Sequence, residues 1–331
     1  MAKATALALV GSESLLGREI RDLLSVNALG DDLKLIAAEK EEAGKLTELG
    51  DEPAIVGALD PESLEAARVI FLAGAPDSTR KVLDVAPQAL LIDLTGAAED
   101  APHARLRAPM VEPAGYEAPA DSVSVIPSTA AVSLALILTR LHTAYPIRQA
   151  LAHVFEPASE RGAPGIEELQ QQTIGLLSFK GQPKEVFDEQ LAFNLLSRYG
   201  DEAPAALEDA ELRIERHLAT LLSLRNHHAP MPSIRLLQAP VFHGYSISLW
   251  VEFESNPGVP AIEKALDADP IDLRTGGAEP PHVVGMAGQD GIAVGSIAVD
   301  RNNPQAVWLW VVADNLRVRA RNALLVAEEV L

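Results

Sequence analysis

The stretch ATALALVGSESLLG, residues 4–17, indicates the fold of the first half of the chain. The apolar run Ala4–Val10 is typical of a buried strand, and the glycine-containing turn after it leads into an amphipathic helix. Such a turn is an anion site, because free N–H groups and the helix dipole point at one place. Gly11, Ser14 and Gly17 have the spacing of a three-glycine turn whose middle glycine is replaced by serine. A turn with only a structural role is the alternative.

Apolar strands alternate with helices as far as about residue 142. The predicted strands are Ala4–Val10, Leu33–Ala38, Val69–Gly74, Leu90–Leu94 and Val123–Ile126, and the predicted helices are Leu15–Leu24, Ser78–Val85 and about Thr129–His142. Near-continuous apolar strands separated by helices imply a parallel sheet that is covered on both faces. The first half is therefore predicted to be a doubly wound α/β domain of the nucleotide-binding type.

The second half has longer strands and fewer helices between them. The predicted strands are Ile147–Phe155, Ser233–Glu254 with a bend near Pro240 and Gly244, and a hairpin of Gly291–Val299 with Ala306–Ala313; the predicted helices are Ile166–Leu177, Glu208–Leu222, Pro260–Leu266 and Leu316–Leu331. This pattern indicates an α+β domain with mostly antiparallel strands. Because both faces of Ala306–Ala313 are apolar, we expect that strand to be covered on each side.

Acidic residues lie near the predicted nucleotide site. Glu13 places a carboxylate inside the turn, where it would repel a pyrophosphate. Glu39 follows the second strand, where a dinucleotide site contacts the adenosine ribose. A carboxylate there can bond the 2′-hydroxyl of NAD but repels the 2′-phosphate of NADP. The alternative is that residues 39–42, Glu-Lys-Glu-Glu, form a solvated charge run.

Composition excludes several classes of function. The 331 residues carry 47 acidic and 27 basic side chains, for a net charge of -20, and no cysteine. Disulfides, thiolate metal sites and thiol catalysis are therefore excluded, and no other metal site is predicted. A surface this acidic repels phosphate backbones and anionic lipid, so we expect no nucleic-acid or membrane partner. No stretch is long enough to span a bilayer, and we expect a cytoplasmic protein.

Six motifs in order resemble those of one enzyme family. They are the turn Gly11–Gly17, Phe71-Leu72-Ala73-Gly74, Ile126-Pro127-Ser128-Thr129, Val154–Ser159 with Gly162 and Gly165–Leu169, Ala239–Tyr245, and Ala313-Asp314-Asn315-Leu316-Arg317. The chain resembles the aspartate-semialdehyde dehydrogenases over nearly its whole length, and the segment Gln190–Asn194 resembles their Usg-type subgroup.

The resemblance implies a domain organisation and a reaction. It implies a Rossmann-type NAD(P)-binding domain over residues 1–128 and 314–331, and a semialdehyde dehydrogenase dimerisation and substrate domain over 129–313. In the family's reaction a cysteine thiolate adds to the aldehyde, hydride passes to NADP, and phosphate releases an acyl phosphate. Members are usually dimers or tetramers, so a homodimer is expected.

Four positions depart from the family's catalytic pattern. Thr129 stands at the position of the cysteine nucleophile, and Tyr245 stands at that of the histidine base. Glu156 replaces a glutamine that orients the substrate, and Gln238 replaces the arginine that binds its carboxylate. A threonine hydroxyl and a tyrosine phenol are both mostly protonated at neutral pH, so neither suits a thioester mechanism. These four degenerate positions predict loss of the family's activity.

Other roles are open for two of the residues in this region. Thr129 suits the N-cap of the helix that follows it, and we favour that role. His243 is an alternative base. Residues two apart on a strand face the same side, but His243 would lie ~6–7 Å along the strand from Tyr245, too far for direct contact unless Gly244 permits a bulge. A histidine on the surface of a strand is the simpler interpretation.

The resemblance also assigns cofactor positions. Gly74 is expected beside the nicotinamide, and Asn315 opens the C-terminal helix next to the cofactor. Arg319 replaces a small residue there, and it either fills the cofactor space or lies on a solvated helix face. The family's phosphate-binding arginine falls near Glu99, while Arg105 and Arg107 are predicted to be solvated loop charges.

Three functions are consistent with these residues. The first is a non-catalytic dimer that acts as a scaffold or binds an unknown protein partner. The second is a module that keeps NAD(P) or another small ligand, which Gly11, Gly17 and Asn315 favour, and Glu13 and Arg319 oppose. The third is an oxidoreductase with altered chemistry, built from Thr129 or from a group of Glu156, His243 and Tyr245. We favour the first.

Overall fold

The computed structural model describes residues 6–26, 32–50, 52–85, 88–119, 122–224 and 229–331. The chain divides into two compact units, one formed by Met1–Pro127 with Arg319–Leu331 and the other by Ser128–Val318. Each unit has its own six-stranded sheet. The predicted functional limits, 1–128 with 314–331 and 129–313, stay a prediction, because compactness alone assigns no role to a unit.

The first unit is built on a parallel sheet with the strand order β2-β1-β5-β6-β8-β7. Its strands are β1 (Ala6–Val10), β2 (Leu33–Ile36), β5 (Ala67–Leu72), β6 (Leu90–Asp93), β7 (Ala104–Leu106) and β8 (Val123–Val125), and a separate antiparallel ribbon is formed by β3 (Leu46–Leu49) and β4 (Glu52–Ile55). The helices are α1 (Leu15–Ser25), α2 (Pro61–Leu64), α3 (Pro76–Val85) and the part of α9 (Asn315–Glu328) from Arg319 onwards.

Apolar side chains cover both faces of this sheet, as the continuous apolar strands predicted. On one face Leu9 and Phe71 pack in a cluster with Leu324 of α9, and on the other Val10 and Leu72 pack in a cluster that includes Val82 of α3. The doubly wound prediction is confirmed. The chain order reverses between β1 and β5, and in such sheets ligands bind at the carboxyl ends of the strands at this reversal.

The second unit contains a mixed sheet with the order β10-β9-β11-β14-β13-β12. Its strands are β9 (Ile147–Glu156), β10 (Ser233–Gln238), β11 (Tyr245–Phe253), β12 (Ile271–Arg274), β13 (Ile292–Val299) and β14 (Ala306–Ala313), and its helices are α4 (Thr129–Ala144), α5 (Gly162–Leu177), α6 (Leu207–Ser223), α7 (Val259–Leu266) and α8 (Val283–Met286). The predicted hairpin of β13 and β14 is confirmed, and the pairs β9–β11 and β11–β14 are also antiparallel. The outer pairs β9–β10 and β12–β13 are parallel.

The prediction of one bent strand over Ser233–Glu254 is wrong. Strand β10 pairs with one side of β9 in parallel, and β11 pairs with the other side in antiparallel fashion. The chain crosses the end of β9 between them, where Pro240 has no N–H for a ladder and Gly244 has a φ of 85°. This crossing brings the end of β10 and the start of β11 to the same edge of the sheet.

One face of β14 is only partly covered by the residues that the structure describes, with Val312 buried against Met286 of α8. Helix α4 packs against β9, β11 and β14, whereas Trp308 on the other face of β14 is 37% exposed and Trp310 is partly exposed. The expectation that both faces are covered is therefore met along only part of the strand within one chain. No helix among the described residues is long and apolar enough to cross a membrane.

Candidate functional site

Three of the four positions that the resemblance assigns to a catalytic site meet at one edge of the second sheet. Glu156 ends β9, Gln238 ends β10 directly opposite it, and Tyr245 begins β11 on the other side of β9. All three side chains are buried. The segment that connects β10 to β11 brings these three side chains together. The group therefore depends on a loop and not on residues that are close in sequence.

Glu156 is the centre of the group. Its Oε2 accepts a hydrogen bond of 3.2 Å from the Tyr245 hydroxyl, and its Oε1 accepts one of 2.8 Å from Nη2 of Arg161. The Gln238 amide donates to the backbone carbonyl of Glu156 at 2.8 Å. Both carboxylate oxygens of Glu156 are therefore occupied by groups of the chain itself.

Arg161 and Tyr199 belong to this group and were not predicted. Nε of Arg161 donates to the Tyr199 hydroxyl at 3.0 Å, and that hydroxyl donates to Oε1 of Gln238 at 2.6 Å. Arg161 follows Glu156 by only five residues. A charged residue in a segment that is buried could therefore have indicated a role for Arg161 in this group. Tyr199 lies in the long loop between α5 and α6, and no local sequence pattern indicates its contacts with Arg161 and Gln238.

Burial and charge set the protonation of this cluster. Burial raises the pKa of Glu156 to about 7; the Arg161 charge opposes this shift, and the Glu160 charge adds to it. Burial and the Glu156 charge raise the pKa of Tyr199. Burial disfavours the charged form of Arg161, but Glu156 and Tyr199 outweigh it, so the pKa of Arg161 is raised. Near neutral pH, Glu156 is the group that titrates.

Thr129 is the first residue of α4 and is fully buried. The prediction that Thr129 caps the helix is wrong, because the N-cap is Ser128, whose hydroxyl accepts from the Ala131 amide at 3.3 Å. The Thr129 hydroxyl instead donates to the backbone carbonyl of Asn315 at 2.8 Å. The proton of that hydroxyl is directed at a backbone carbonyl, which is too weak a base to activate it.

Replacing Ser128 by alanine tests this assignment. We expect Ser128→Ala to lower the free energy of unfolding by about 1 kcal/mol, because the α4 amide loses its cap. Ser128→Asp should retain most of the stability, since a carboxylate also caps. Urea unfolding of the three proteins measures the difference, and an unchanged stability of the alanine variant would contradict the assignment.

The side chain of Asn315 connects separate segments of the second unit through hydrogen bonds. Its Nδ2 donates to Ser159 at 3.0 Å and to Glu160 at 2.9 Å, and its Oδ1 accepts from the Gly244 amide at 2.9 Å. Asn315 therefore links Thr129 to the loop that carries Glu160 and Arg161. The predicted cofactor contact of Asn315 stays a prediction, and its amide would have to give up these bonds to make it.

His243 lies in the turn before β11, and its side chain is exposed. The expectation of a strand histidine facing the same side as Tyr245 is wrong, because β11 begins only at Tyr245. The left-handed Gly244 between them breaks the strand pattern. Spacing along a strand thus gives no reason to place His243 against Glu156.

The backbone is closely packed around the glycine turn of the first unit. Gly11 has a φ of 84°, and a Cβ on it would lie 2.2 Å from Cα of Gly74; a Cβ on Gly17 would lie 2.1 Å from the Gly11 carbonyl oxygen. Ser14 caps α1 by accepting from the Gly17 amide at 2.9 Å, and its hydroxyl donates to the Ala73 carbonyl. These residues lie where the strand order reverses, between β1 and β5.

The acidic residues near this turn have specific partners. Glu13 accepts from Arg21 at 2.6 Å and lies 3.7 Å from Arg18, so its charge is balanced within the chain rather than left inside the turn. Glu39 is exposed, as a solvated charge requires. Glu42, which was not singled out, turns back and accepts from the Ala38 amide at 3.0 Å.

Two arginines of the first unit, for which a solvated side chain was predicted or considered, are less exposed than a solvated side chain would be. Arg319 donates to the Leu94 carbonyl at the end of β6, and its buried Nε has no hydrogen-bond partner among the described residues. The alternative of a solvated helix face is therefore wrong for Arg319. Arg107 is 2% exposed and is paired with Glu112 and Glu329, so the expectation of a solvated loop charge is wrong there as well.

Arg105 agrees with the prediction of a solvated loop charge. Arg105 is exposed and donates to the carbonyl of its neighbour Ala104. Within the described parts of the chain, no group of three or more His, Asp or Glu side chains could hold a metal ion.

Sequence comparison assigns the chain to a family. Residues 138–318, more than half of the chain, match the family described as semialdehyde dehydrogenase, dimerisation domain. The protein therefore belongs to the semialdehyde dehydrogenase family. The matched region contains the whole mixed sheet of the second unit.

Relatives match over the full length. A USG-1 protein homolog of Pseudomonas aeruginosa is 30% identical over 99% of this chain and 98% of its own length. An aspartate-semialdehyde dehydrogenase of Rickettsia bellii is 25% identical over 100% of this chain and 99% of its own. The solved structure of a probable aspartate-semialdehyde dehydrogenase from Pseudomonas aeruginosa superposes with a TM-score of 0.85 at 29% identity, covering 98% of each chain. Both the enzyme name and the USG-1 name thus occur among full-length relatives.

Proposed function

We propose that this protein is a non-catalytic member of the semialdehyde dehydrogenase family that acts as a homodimer. One observation carries the proposal. The carboxylate of Glu156 is held between Arg161 and Tyr245, inside the group of residues that the family resemblance assigns to substrate binding and catalysis. The chain has placed its own carboxylate–guanidinium pair where the resemblance implies that a substrate carboxylate meets an arginine.

The nucleophile and the base support the same proposal. Thr129 is buried and donates to a carbonyl, and Tyr245 donates to Glu156. A phenol that donates to a carboxylate is not a proton acceptor, and a threonine whose hydroxyl donates to a carbonyl is not activated as a nucleophile. Removal of a nucleophile and its base typically lowers turnover by about 10⁶-fold.

The first unit supports only weak dinucleotide binding. The close packing of Gly11, Gly17 and Gly74 suits the approach of a pyrophosphate to the backbone. Arg319 reaches the carbonyl of Leu94, and the resemblance assigns a small residue to its position beside the nicotinamide. The turn thus fits the phosphates of NAD(P), whereas Arg319 opposes the nicotinamide.

A titration with the cofactors tests this part of the proposal. We expect no saturable binding of NADP or NAD below about 1 mM by calorimetry. Arg319→Ala should tighten binding at least about tenfold if the guanidinium fills the nicotinamide space. Arg321→Ala, a change of a partly exposed arginine on the same helix, is the matched control and should leave affinity unchanged. Micromolar binding by the native protein would contradict the proposal and favour a function that uses the cofactor.

The homodimer is proposed from the second unit. The matched family region is a dimerisation domain, and the face of the mixed sheet that carries Phe155, Trp308 and Trp310 is not fully covered within one chain. We propose that a second copy of the chain covers this face. We further propose that the assembled dimer binds a protein partner of unknown identity. The acidic, cysteine-free composition favours a cytoplasmic location.

An oxidoreductase with altered chemistry is the second candidate. A buried carboxyl with a pKa of about 7, hydrogen-bonded to a phenol, is the type of group that serves in acid–base catalysis. This candidate predicts a pH-dependent turnover of aldehydes that Tyr245→Phe abolishes. His243→Ala should have no effect, because that side chain lies exposed in the preceding turn.

A further inference from the structure

Arg161 has an unused binding edge. Its Nε donates to Tyr199 and its Nη2 donates to Glu156, while Nη1 makes no hydrogen bond to any residue that the structure describes. The side chain is 19% exposed, so solvent reaches the guanidinium. An arginine offers five N–H donors in a planar fork that matches a carboxylate. The guanidinium therefore retains donors for an anion from outside.

The charge of Glu156 determines the pH at which an anion can bind to the unused edge of Arg161. The groups that face Glu156 are Arg161 and Glu160 from the segment that follows β9, Tyr245 from β11, Tyr199 from the loop before α6, and the neutral amide of Gln238 from β10. With Glu156 ionised, two carboxylates surround one guanidinium and repel a further anion. With Glu156 protonated, Glu160 and Arg161 balance, and a third negative charge is no longer opposed by Glu156.

We propose that Arg161 anchors a site for a small monocarboxylate, and that Glu156 must take up a proton from solvent for the carboxylate to bind. The ligand accepts hydrogen bonds from Arg161, which releases or shares its contact with Glu156. At pH 8 a carboxylate is favoured over inorganic phosphate, which carries a second negative charge at that pH that would meet Glu160. The inference rests on the proposed function, since a site no longer used for turnover is free to serve as a ligand sensor.

The pH dependence of carboxylate binding follows from the pKa of Glu156. Because burial raises the pKa of Glu156 to about 7, the carboxyl is mostly protonated at pH 6 and mostly ionised at pH 8. If only the protonated form binds, affinity falls about tenfold between these two values. Ligand binding should also take up protons near pH 7.

A titration with butyrate, followed by NMR at pH 6 and pH 8, tests the proposal on the full-length protein. We expect butyrate to bind about tenfold more tightly at pH 6 than at pH 8, and butyramide not to bind. At pH 8 inorganic phosphate should bind more weakly than butyrate. Glu156→Gln should bind butyrate equally well at both pH values. Arg161→Met should lose binding at pH 6, whereas Arg198→Met, a change of an exposed arginine in the same loop as Tyr199, should keep it.

Several results would overturn the inference. They are equal affinity of the native protein at the two pH values, retained binding in Arg161→Met, or failure of Glu156→Gln to bind butyrate at either pH. The glutamine variant keeps the test meaningful if Arg161→Met does not fold. None of these results bears on turnover, so the proposed non-catalytic function would stand. Measured turnover would overturn that function and leave the proton linkage to be judged by the titration.

Discussion

Arg161→Met should destabilise the protein by about 3–5 kcal/mol at pH 8, because the change leaves the buried carboxylate of Glu156 without its cation. The loss should be smaller by about 1.4 kcal/mol at pH 5.5, because pH 8 lies one unit above the Glu156 pKa of about 7 and Glu156 is protonated in both proteins at the lower pH. Urea unfolding followed by tryptophan fluorescence at both pH values measures the difference. Arg198→Met, which removes an exposed ion pair, should cost less than about 0.5 kcal/mol at either pH.

The sign of the pH effect follows from the direction of the pKa shift. The folded-state pKa of Glu156 is raised from 4.5 to about 7, so the native state binds more protons than the unfolded state between these values. The contribution of Glu156 to stability is therefore largest at low pH and falls as the pH rises through this window. Glu156→Gln should flatten this dependence in the native background.

The double variant separates the pair from its parts. Glu156→Gln with Arg161→Met removes both charges, and it should regain most of the stability that Arg161→Met loses at pH 8. A loss of stability in Arg161→Met that is equal at pH 5.5 and pH 8, and that Glu156→Gln does not relieve, would show that the arginine contributes by packing alone. The ionised pair would then not be the feature that defines this site.

Restoring catalysis should require removal of the Glu156 carboxylate as well as a new nucleophile and base. We expect Thr129→Cys with Tyr245→His to stay near background with aspartate semialdehyde. Adding Glu156→Gln and Gln238→Arg should raise turnover at least about 100-fold, because these changes remove a buried negative charge and supply a cation for the substrate carboxylate. A hundredfold change corresponds to about 2.7 kcal/mol of transition-state stabilisation.

A matched control isolates the thiol. The variant with Tyr245→His, Glu156→Gln and Gln238→Arg but with Thr129 retained should remain inactive, since it lacks an ionisable nucleophile. Full recovery of activity by Thr129→Cys and Tyr245→His alone would contradict the view that Glu156 and Gln238 also block the reaction. Arg161 is left in place in all of these variants, and it loses the carboxylate of Glu156 only in those that carry Glu156→Gln.

Much of the fold followed from the sequence because local patterns determine it. Continuous apolar strands such as Ala67–Leu72 report burial on both faces, and the glycine turn after β1 requires conformations that few other residues adopt. The misassigned bent strand shows the limit. An apolar pattern over Ser233–Glu254 indicates strand, but it does not reveal on which side of β9 each half pairs.

The site was predictable only in part, because its bonds are non-local. Glu156, Gln238 and Tyr245 were found by their place in motifs, but Tyr199 joins them through a loop contact between residues 39 apart. The cap was misassigned because Ser128 and Thr129 are both able to cap, and the choice depends on the Asn315 carbonyl that receives the Thr129 hydroxyl. Side-chain partners distant in sequence thus decided what neighbouring residues do.

Turnover by the native protein is the most direct test of the central claim. Purified full-length protein would be incubated with aspartate semialdehyde, phosphate and either NADP or NAD, and the absorbance of the reduced cofactor would be followed. A relative that carries the cysteine and histidine would be measured alongside. The account predicts a rate at least about 10⁴-fold below that relative and indistinguishable from the no-protein control. A rate within about tenfold of the relative would contradict it and would require a nucleophile other than Thr129.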